Sequence, residues 1–238
     1  NYYDNPSDEI KLIAITGTNG KTSVATLLYN LFQSLGHKAG LISTIVNKIG
    51  FDDIESTHTT PDPLQINALL SKMVAKGCSY CFMEASSHAI HQNRTFGLSF
   101  VGAIFTNISH DHLDYHKTFD DYILAKKQLF DQLSPDAFAL VNKDDRHGVN
   151  MLHHCDAKHY TFALKSMADF KARILENQFD GQLININGKE VWTKIIGEFN
   201  AYNLLAIYAA TILLGEDELQ ALTSLSALKS AEGRFDVI

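Results

Sequence analysis

The stretch Ile13-Ala-Ile-Thr-Gly-Thr-Asn-Gly-Lys-Thr-Ser23 decides the fold of this chain. A short apolar run at 12–15 predicts a buried strand, and two glycines, Gly17 and Gly20, interrupt it. After the second glycine, apolar residues recur at helical spacing, which predicts a helix that Gly36 closes. The sequence therefore predicts a strand, a glycine-containing loop and a helix in immediate succession.

This loop is suited to holding a phosphate chain. Backbone N–H groups and the positive end of the helix dipole converge at one point there. Lys21 is placed to reach the β- and γ-phosphates of a nucleotide, and the Thr22 hydroxyl to bind Mg²⁺. The general pattern G-x-x-x-x-G-K-[ST] has a glycine where this chain has Ile15, so an ordinary strand-to-helix turn is the alternative. The predicted nucleotide-binding residues are Gly17, Thr18, Asn19, Gly20, Lys21, Thr22 and Ser23.

Length and composition limit the classes of protein to consider. With 238 residues, 45% of them hydrophobic, the chain can bury a sizeable core. A net charge of −7 and the lack of a Lys/Arg patch argue against nucleic acid as a partner. Without a signal peptide or a long apolar run, a cytoplasmic protein with no membrane association is expected. Because residue 1 is Asn1, we interpret residues 1–9 as a linker remnant.

The three cysteines indicate a reducing compartment. Cys78 and Cys81 have C-x-x-C spacing, which is also found in metal and redox sites. We place both in a strand, where residues three apart point to opposite faces and lie too far apart for a disulfide. Buried core cysteines are expected.

Strand and helix patterns alternate through the first 145 residues. This alternation predicts a mostly parallel sheet covered by helices on both faces. Ligands bind at the carboxyl ends of such strands, so the glycine loop, Glu84, residues 110–116 and Asp145 are expected on one rim. Residues 48–58 are polar enough to form a loop or a small hairpin. The predicted strands are 12–15, 39–44, 79–83, 101–107 and 137–141.

The pattern changes between Tyr160 and Glu198. Alternating polar and apolar residues with Asp180-Gly181 and Asn187-Gly188 turns predict a small antiparallel sheet. A helix is then expected over 200–214, followed by a shorter one. The predicted fold class is α/β, a P-loop-type mostly parallel sheet flanked by helices, with a small additional antiparallel sheet.

Two polar side chains follow buried strands on the expected rim. Glu84 and His112 could meet at a metal ion, although each could also be a solvated loop residue. The stretch 110–116 nearly spells the H-x-H-x-D-H ligand set of two-metal hydrolases. Tyr115 breaks that spacing, and the nucleotide loop upstream is the wrong context for a hydrolase.

Several motifs in a fixed order carry a resemblance to a known family. They are Gly17-Thr-Asn-Gly-Lys-Thr-Ser23, Thr59-Thr-Pro-Asp62, Met83-Glu-Ala-Ser-Ser-His88, Phe105-Thr-Asn-Ile-Ser-His-Asp-His-Leu-Asp-Tyr-His116, Ala125-Lys126, Phe199-Asn-Ala-Tyr-Asn203 and Gly233-Arg-Phe-Asp236. With these motifs the chain resembles the Mur ligase family over residues 10–238. The resemblance covers the central ATP-binding domain, so the family's N-terminal UDP-binding and C-terminal amino-acid-binding domains are expected to be absent.

The resemblance implies an ATP-dependent, ADP-forming amide ligase of peptidoglycan precursor synthesis. The branch it resembles most adds a diamino acid to UDP-N-acetylmuramoyl-L-alanyl-D-glutamate through an acyl phosphate. The diamino acid, meso-diaminopimelate or L-lysine, is left open because its binding residues are expected in the C-terminal domain. A monomer is expected.

The resemblance also implies roles for individual residues. ATP and two Mg²⁺ ions are the implied cofactors, with Lys21, His112 and Lys126 as catalytic residues. Lys126 matches the family's carbamylated lysine, although it could also be a surface lysine like Lys127. The implied metal ligands are Thr22, Glu84, His112 and Lys126; the implied substrate residues are Thr59, Thr60, Ser86, Gln92 and Arg94; the implied nucleotide contacts beyond the loop are Asn200, Asn203 and Arg234.

Two alternative functions stay open at this stage. Folylpolyglutamate synthase shares the ATP loop and the acyl-phosphate chemistry, although Ser86-Ser-His88 and residues 111–116 favour the cell-wall branch. The second alternative is a nucleotide-binding module without turnover, since this chain by itself is expected to lack the acceptor domain.

Overall fold

The computed structural model describes residues 3–56, 58–109 and 113–229. Their strands are β1 (Lys11–Thr16), β2 (Ala39–Ile42), β3 (Val46–Ile49), β4 (Asp52–Glu55), β5 (Tyr80–Glu84), β6 (Phe100–Phe105), β7 (Phe138–Asn142), β8 (Lys158–Ala163), β9 (Phe170–Gln178), β10 (Gly181–Ile186) and β11 (Lys189–Thr193). The helices are α1 (Lys21–Ser34), α2 (Pro63–Ala75), α3 (Ser87–His91), α4 (Leu113–His116), α5 (Phe119–Asp131), α6 (Glu198–Leu213) and α7 (Glu218–Ala227). Short 3₁₀ helices cover Pro6–Asp8 and Val149–Leu152.

The described strands form one sheet in the order β11-β10-β9-β8-β7-β6-β1-β5-β2-β3-β4. All neighbours from β2 to β9 in this order pair in parallel. The β3–β4 hairpin extends one edge antiparallel, and β10 and β11 extend the other. The predicted α/β class is confirmed, and of the two possibilities for 48–58 the structure forms the hairpin. The antiparallel strands continue the main sheet instead of forming a separate one.

Helices cover the sheet on both faces. Alternate residues of β1 enter two different cores: Ile13 and Ile15 pack with α1 and α6, whereas Leu12 and Ala14 pack with α2 and α5. All residues of β1 after the first are buried, as expected for the centre of a parallel sheet. This central position places the carboxyl end of β1 in the middle of the sheet's rim.

Local signals place the ends of the helices around that rim. Gly36 lies just beyond α1 with φ +89°, and its N–H donates to Gln33 O at 3.1 Å, which confirms the predicted stop. The carboxylate of Asp62 caps α2 by accepting from the N–H groups of Leu64 and Gln65 at 2.9 and 3.0 Å. Pro63 then occupies the first helical position, where its missing N–H costs nothing.

The prediction for the cysteines is partly wrong. Cys78 and Cys81 are buried and free, as expected. Cys78, however, precedes β5, and both side chains pack into the same core instead of on opposite faces. Burial raises the pKa of both thiols, so both are inert core residues.

Within the described residues, no helix has the length and apolar character needed to cross a membrane.

Candidate functional site

The loop between β1 and α1 has a backbone that glycine makes possible. Gly17 has φ +153° and Gly20 has φ +87°. A Cβ added at Gly17 would lie 2.0 Å from Thr106 Oγ1, and one at Gly20 would lie 2.6 Å from Asn203 Oδ1. Both glycines therefore provide the required dihedral angles and the space for neighbouring elements to pack against the loop.

Residues after β6 hold this loop from one side. Asn107 accepts from the N–H of Asn19 at 3.0 Å and donates its amide to Asn19 O at 3.1 Å. Thr106 Oγ1 donates to the same carbonyl at 2.6 Å. Sequence reasoning missed the role of Asn107, and the available signal was its place at the carboxyl end of a buried strand.

Lys21 lies folded across the loop as the first residue of α1. Its Nζ donates to Gly17 O at 2.9 Å and to Thr18 O at 2.8 Å. The ammonium group is thus held by loop carbonyls beside the helix N-terminus, where the phosphates of a nucleotide are expected to bind.

Glu84 is the last residue of β5, and its carboxylate is buried beside Thr22. Oε2 accepts from the Thr22 hydroxyl at 3.0 Å, and Oε1 accepts from the N–H of Thr44 at 2.8 Å. Burial raises the pKa of Glu84, although these hydrogen bonds and the charge of Lys21 oppose the shift. A buried carboxylate beside a hydroxyl provides the hard oxygen donors that Mg²⁺ prefers.

Lys126 is buried beneath the loop and is not a surface lysine. Only 1% of the residue is exposed, and its Nζ donates to Gly17 O at 2.8 Å. The same Nζ lies 4.5 Å from the centre of the Tyr122 ring, whose hydroxyl is 3.1 Å from Thr18 Oγ1. Lys127, by contrast, pairs with Asp131 on the outer side of α5. Two lysines from different elements therefore share one carbonyl of the loop.

The candidate substrate residues form a connected network. Arg94 donates through Nε and Nη2 to Gln92 Oε1 at 2.9 and 2.6 Å, and through Nη1 to Thr60 O at 2.9 Å. The Thr60 hydroxyl donates to Glu84 O at 2.7 Å and accepts from the N–H of Ser86 at 3.1 Å. Thr59 Oγ1 lies 3.1 Å from Thr44 Oγ1. The hydrogen bonds from Gln92 through Arg94 and Thr60 thus reach the main-chain carbonyl of Glu84, whose carboxylate faces the loop.

One cavity of about 470 Å³ unites these groups. Its lining includes loop residues 18–22, Glu84, Lys126 and all five candidate substrate residues. Ser23 lies in α1 outside this lining and is buried. His112 and Arg234 lie outside the described residues.

A second cavity of about 320 Å³ lies on the other side of Asn19. Asn203, Phe199 and Tyr202 of α6 line it together with residues that follow β6 and β7. Asn200 is not part of the lining, and its amide donates to Ile196 O at 2.8 Å, so its side chain acts at the start of α6. The structure therefore brings Asn203, but not Asn200, into this cavity.

Two aspartates after β7 build the wall of the second cavity. Asp144 accepts from the Tyr202 hydroxyl and from the N–H groups of Lys165 and Ser166, all within 2.9 Å. Burial alone would raise the pKa of Asp144, but these hydrogen bonds outweigh it and hold the pKa well below its usual range. Asp145 accepts from the N–H of Ile108 at 2.7 Å. These carboxylates tie the loops of the rim together.

The comparison with known families agrees with this geometry. The Mur ligase middle domain matches residues 15–211. The chain belongs to the Mur ligase family. A UDP-N-acetylmuramoyl-L-alanyl-D-glutamate--2,6-diaminopimelate ligase of Cytophaga hutchinsonii is 52% identical over 99% of this chain and 49% of its own length. A ligase of the same name from Bacteroides fragilis is 50% identical over the whole chain and 49% of its own length.

Solved structures of Mur ligases have the same fold. A structure of UDP-N-acetylmuramoyl-L-alanyl-D-glutamate--2,6-diaminopimelate ligase matches with a TM-score of 0.87 and 32% identity, over 96% of this chain and 48% of that chain. A pseudomurein peptide ligase type C from Methanothermus fervidus matches with a TM-score of 0.72 over 95% of this chain and 51% of that chain; at 19% identity it shows the fold alone. The chain spans about half the length of the curated relatives it matches.

Proposed function

We propose that this chain is the catalytic centre of an ATP-dependent ligase that joins a diamino acid to UDP-N-acetylmuramoyl-L-alanyl-D-glutamate. The observation that carries this proposal is the single cavity in which the phosphate loop, Glu84 and Lys126 meet the Thr60–Gln92–Arg94 network. The names of the most similar relatives support diaminopimelate as the amino acid that is added.

The proposed reaction requires both the phosphate loop and the Thr60–Gln92–Arg94 network that line this cavity. A carboxylate cannot expel oxide, so the D-glutamate side-chain carboxylate first attacks the γ-phosphorus of ATP, which gives an acyl phosphate and ADP. The amine of the diamino acid then attacks the acyl carbon and loses a proton, and phosphate leaves from the tetrahedral intermediate. Catalysis consists mainly of positioning and charge neutralisation.

The residues of the loop perform the nucleotide side of this reaction. We propose that Lys21 leaves the carbonyls of Gly17 and Thr18 to bind the β- and γ-phosphates, and that the loop N–H groups bind the phosphate oxygens. Asn203 with Phe199 and Tyr202 offers a cavity for the adenine base. The cavities meet at Asn19, so one extended nucleotide can reach from base to γ-phosphate.

Glu84 and Thr22 are the proposed ligands of a first Mg²⁺ ion. An Mg²⁺ ion bound with a nucleotide takes several of its ligands from phosphates and water, so one or two protein ligands are enough. When bound, Mg²⁺ supplies positive charge that offsets the phosphate oxygens. His112, outside the described residues, and modified Lys126 are the proposed ligands of a second ion.

Lys126 is proposed to act as a carbamate. The ammonium first loses a proton; the neutral amine nitrogen then attacks CO₂, an N–C bond forms as one C–O π bond opens, and a second proton leaves, so the side chain changes from cation to anion. An unmodified ammonium would repel Mg²⁺, whereas the carbamate oxygens can bind it. The burial of Lys126 directly beneath Gly17 puts this change of charge next to the phosphate loop.

The test is a ligation assay with the protein that carries this chain. ATP, Mg²⁺ and UDP-N-acetylmuramoyl-L-alanyl-D-glutamate are supplied with either diaminopimelate or L-lysine, and product mass and ADP are measured. We expect ADP release and a product of the correct mass with diaminopimelate. Turnover with a folate and glutamate in a parallel reaction would instead establish the folylpolyglutamate synthase alternative. ATP binding without turnover on any acceptor would establish the nucleotide-binding module.

A further inference from the structure

The steps of the proposed reaction assign no role to Tyr115. It lies in α4, on the rim of the candidate site, and its hydroxyl is the meeting point of two side chains from the end of α3. Gln92 Nε2 donates to this hydroxyl at 3.1 Å, and His91 Nδ1 lies 3.0 Å from it. The Tyr115 ring also packs against His88 with ring centroids 4.1 Å apart.

These contacts determine the orientation of the Gln92 amide. A guanidinium has only donors, so the amide oxygen of Gln92 must face Arg94 and its NH₂ group must face Tyr115. The tyrosine hydroxyl accepts from that NH₂ group and can donate its own proton to His91. Removing this hydroxyl would take away the partner of the Gln92 NH₂ group, so that only the two bonds from Arg94 would orient the amide.

Arg94 depends on that orientation. Of its five N–H groups, Nε–H and one on Nη2 bond to Gln92, and one on Nη1 bonds to Thr60 O. Among the contacts of the described residues, one N–H therefore remains on each terminal nitrogen, and either can donate to a carboxylate or phosphate. Gln and Arg side chains lose much rotamer freedom when they are ordered, so fixing them before binding raises affinity.

We propose that Tyr115 is a positioning residue for the anionic end of the muramyl-peptide substrate, acting through Gln92 on Arg94. The inference rests on the proposed function for the identity of the substrate. It predicts that the hydroxyl of Tyr115 affects the binding of the muramyl dipeptide and leaves ATP binding and the chemical steps unaffected. The reason is that the hydrogen-bonded relay, from Tyr115 through Gln92 to Arg94, ends among the candidate substrate residues of the cavity.

Steady-state kinetics of Tyr115→Phe in the protein that carries this chain test the proposal. Losing the preset orientation of two long side chains is expected to raise KM for the muramyl dipeptide by about 5- to 20-fold. The KM for ATP, kcat and Tm are expected to stay near their wild-type values. Tyr160→Phe is the matched control, since Tyr160 lines a cavity at the amino ends of the strands.

A double-mutant cycle distinguishes positioning through Gln92 from a direct contact. In a Gln92→Leu background, Tyr115→Phe is expected to change KM no further, because the relay is already broken. Additive effects of the two substitutions would overturn the proposal. A fall in Tm with parallel losses for ATP and the dipeptide would show a structural role and overturn it as well.

The possible results distinguish failure of the positioning role of Tyr115 from failure of the proposed ligase function. If the wild-type protein forms amide product and Tyr115→Phe has the same KM for the dipeptide, the positioning role is refuted and the proposed function stands. If the wild-type protein forms no product, the proposed function fails. The calorimetric Kd of the muramyl dipeptide for wild type and variant then decides the role of Tyr115, and equal values refute it.

Discussion

Substitution of Gly17 by alanine tests the geometry of the phosphate loop directly. The residue has φ +153°, and an added Cβ would lie 2.0 Å from Thr106 Oγ1 and 3.0 Å from Asn107 O. Gly36 is the matched control because it also has a positive φ, +89°, but an added Cβ there would meet nothing within 4 Å. The two variants share an unfavourable backbone and differ in the steric conflict.

The expected magnitudes follow from these contacts. A side chain in a sparsely populated backbone region costs about 1–3 kcal/mol. At Gly17 the Thr106 hydroxyl must also move by more than about 1 Å, which removes its hydrogen bond to Asn19 O, worth about 1 kcal/mol, and adds overpacking of about 1–3 kcal/mol. We therefore expect Gly17→Ala to lower the free energy of unfolding by about 3–7 kcal/mol and Gly36→Ala by about 1–2 kcal/mol.

Urea denaturation of both variants, each alone and combined with Thr106→Ala, measures the difference. Removing the Thr106 hydroxyl takes away the nearest clashing atom, so the cost of Gly17→Ala is expected to be smaller in that background. ATP affinity should fall in Gly17→Ala and stay normal in Gly36→Ala, because the Gly17 carbonyl holds both Lys21 and Lys126. Equal destabilisation by the two single substitutions, with no coupling to Thr106, would refute the reasoning.

The remaining predictions concern charged groups of the site. Lys126→Ala is expected to abolish ligation and Lys126→Glu to retain part of it, since only the acidic side chain can replace a carbamate. Lys127→Ala is the control. Equal, near-normal ligation rates for both Lys126 variants would contradict the carbamate. Lys21→Ala is expected to abolish Mg-ATP binding in a calorimetric titration without lowering Tm, and unchanged affinity would contradict the phosphate-loop assignment. Hydrogen bonds lower the pKa of Asp144 in the folded state, so its carboxylate stabilises the fold above the unfolded-state pKa of about 4 and loses this effect as the pH falls. Asp144→Asn should therefore cost more unfolding free energy at neutral pH than at about pH 3, and a pH-independent cost in urea denaturation would contradict the assigned cause.

Much of the fold was predictable because its signals are local. The apolar run and glycines before α1 and the Gly36 stop after it each depend on a few neighbouring residues. The stretch before α1 also contains the loop residues, whereas Glu84 is marked by its place directly after the predicted strand 79–83. The comparisons confirm the family to which the motifs pointed.

Other elements lacked such signals. β8 was missed because its first four residues, beginning at Lys158, are exposed or half-buried, so the strand has no apolar run. α3 is only five residues long, too short to show a helical period. Tyr115, Tyr122 and Asn107 were missed as site residues because aromatic residues on a helix and a polar residue after a strand resemble ordinary core and loop positions.

The sequence by itself determined which reactive groups this protein carries: a glycine loop that ends in lysine and threonine, a carboxylate at the end of a strand and a lysine fifteen residues after Asp111 in the family's motif order. Only the tertiary structure decided which of these groups meet. Glu84 reaches Thr22 across 62 residues of sequence, and Lys126 reaches Gly17 across 109. The physical reason is that parallel strands bring their carboxyl ends to one rim through long crossover connections, so contacts there depend on strand order and register, which no local pattern encodes.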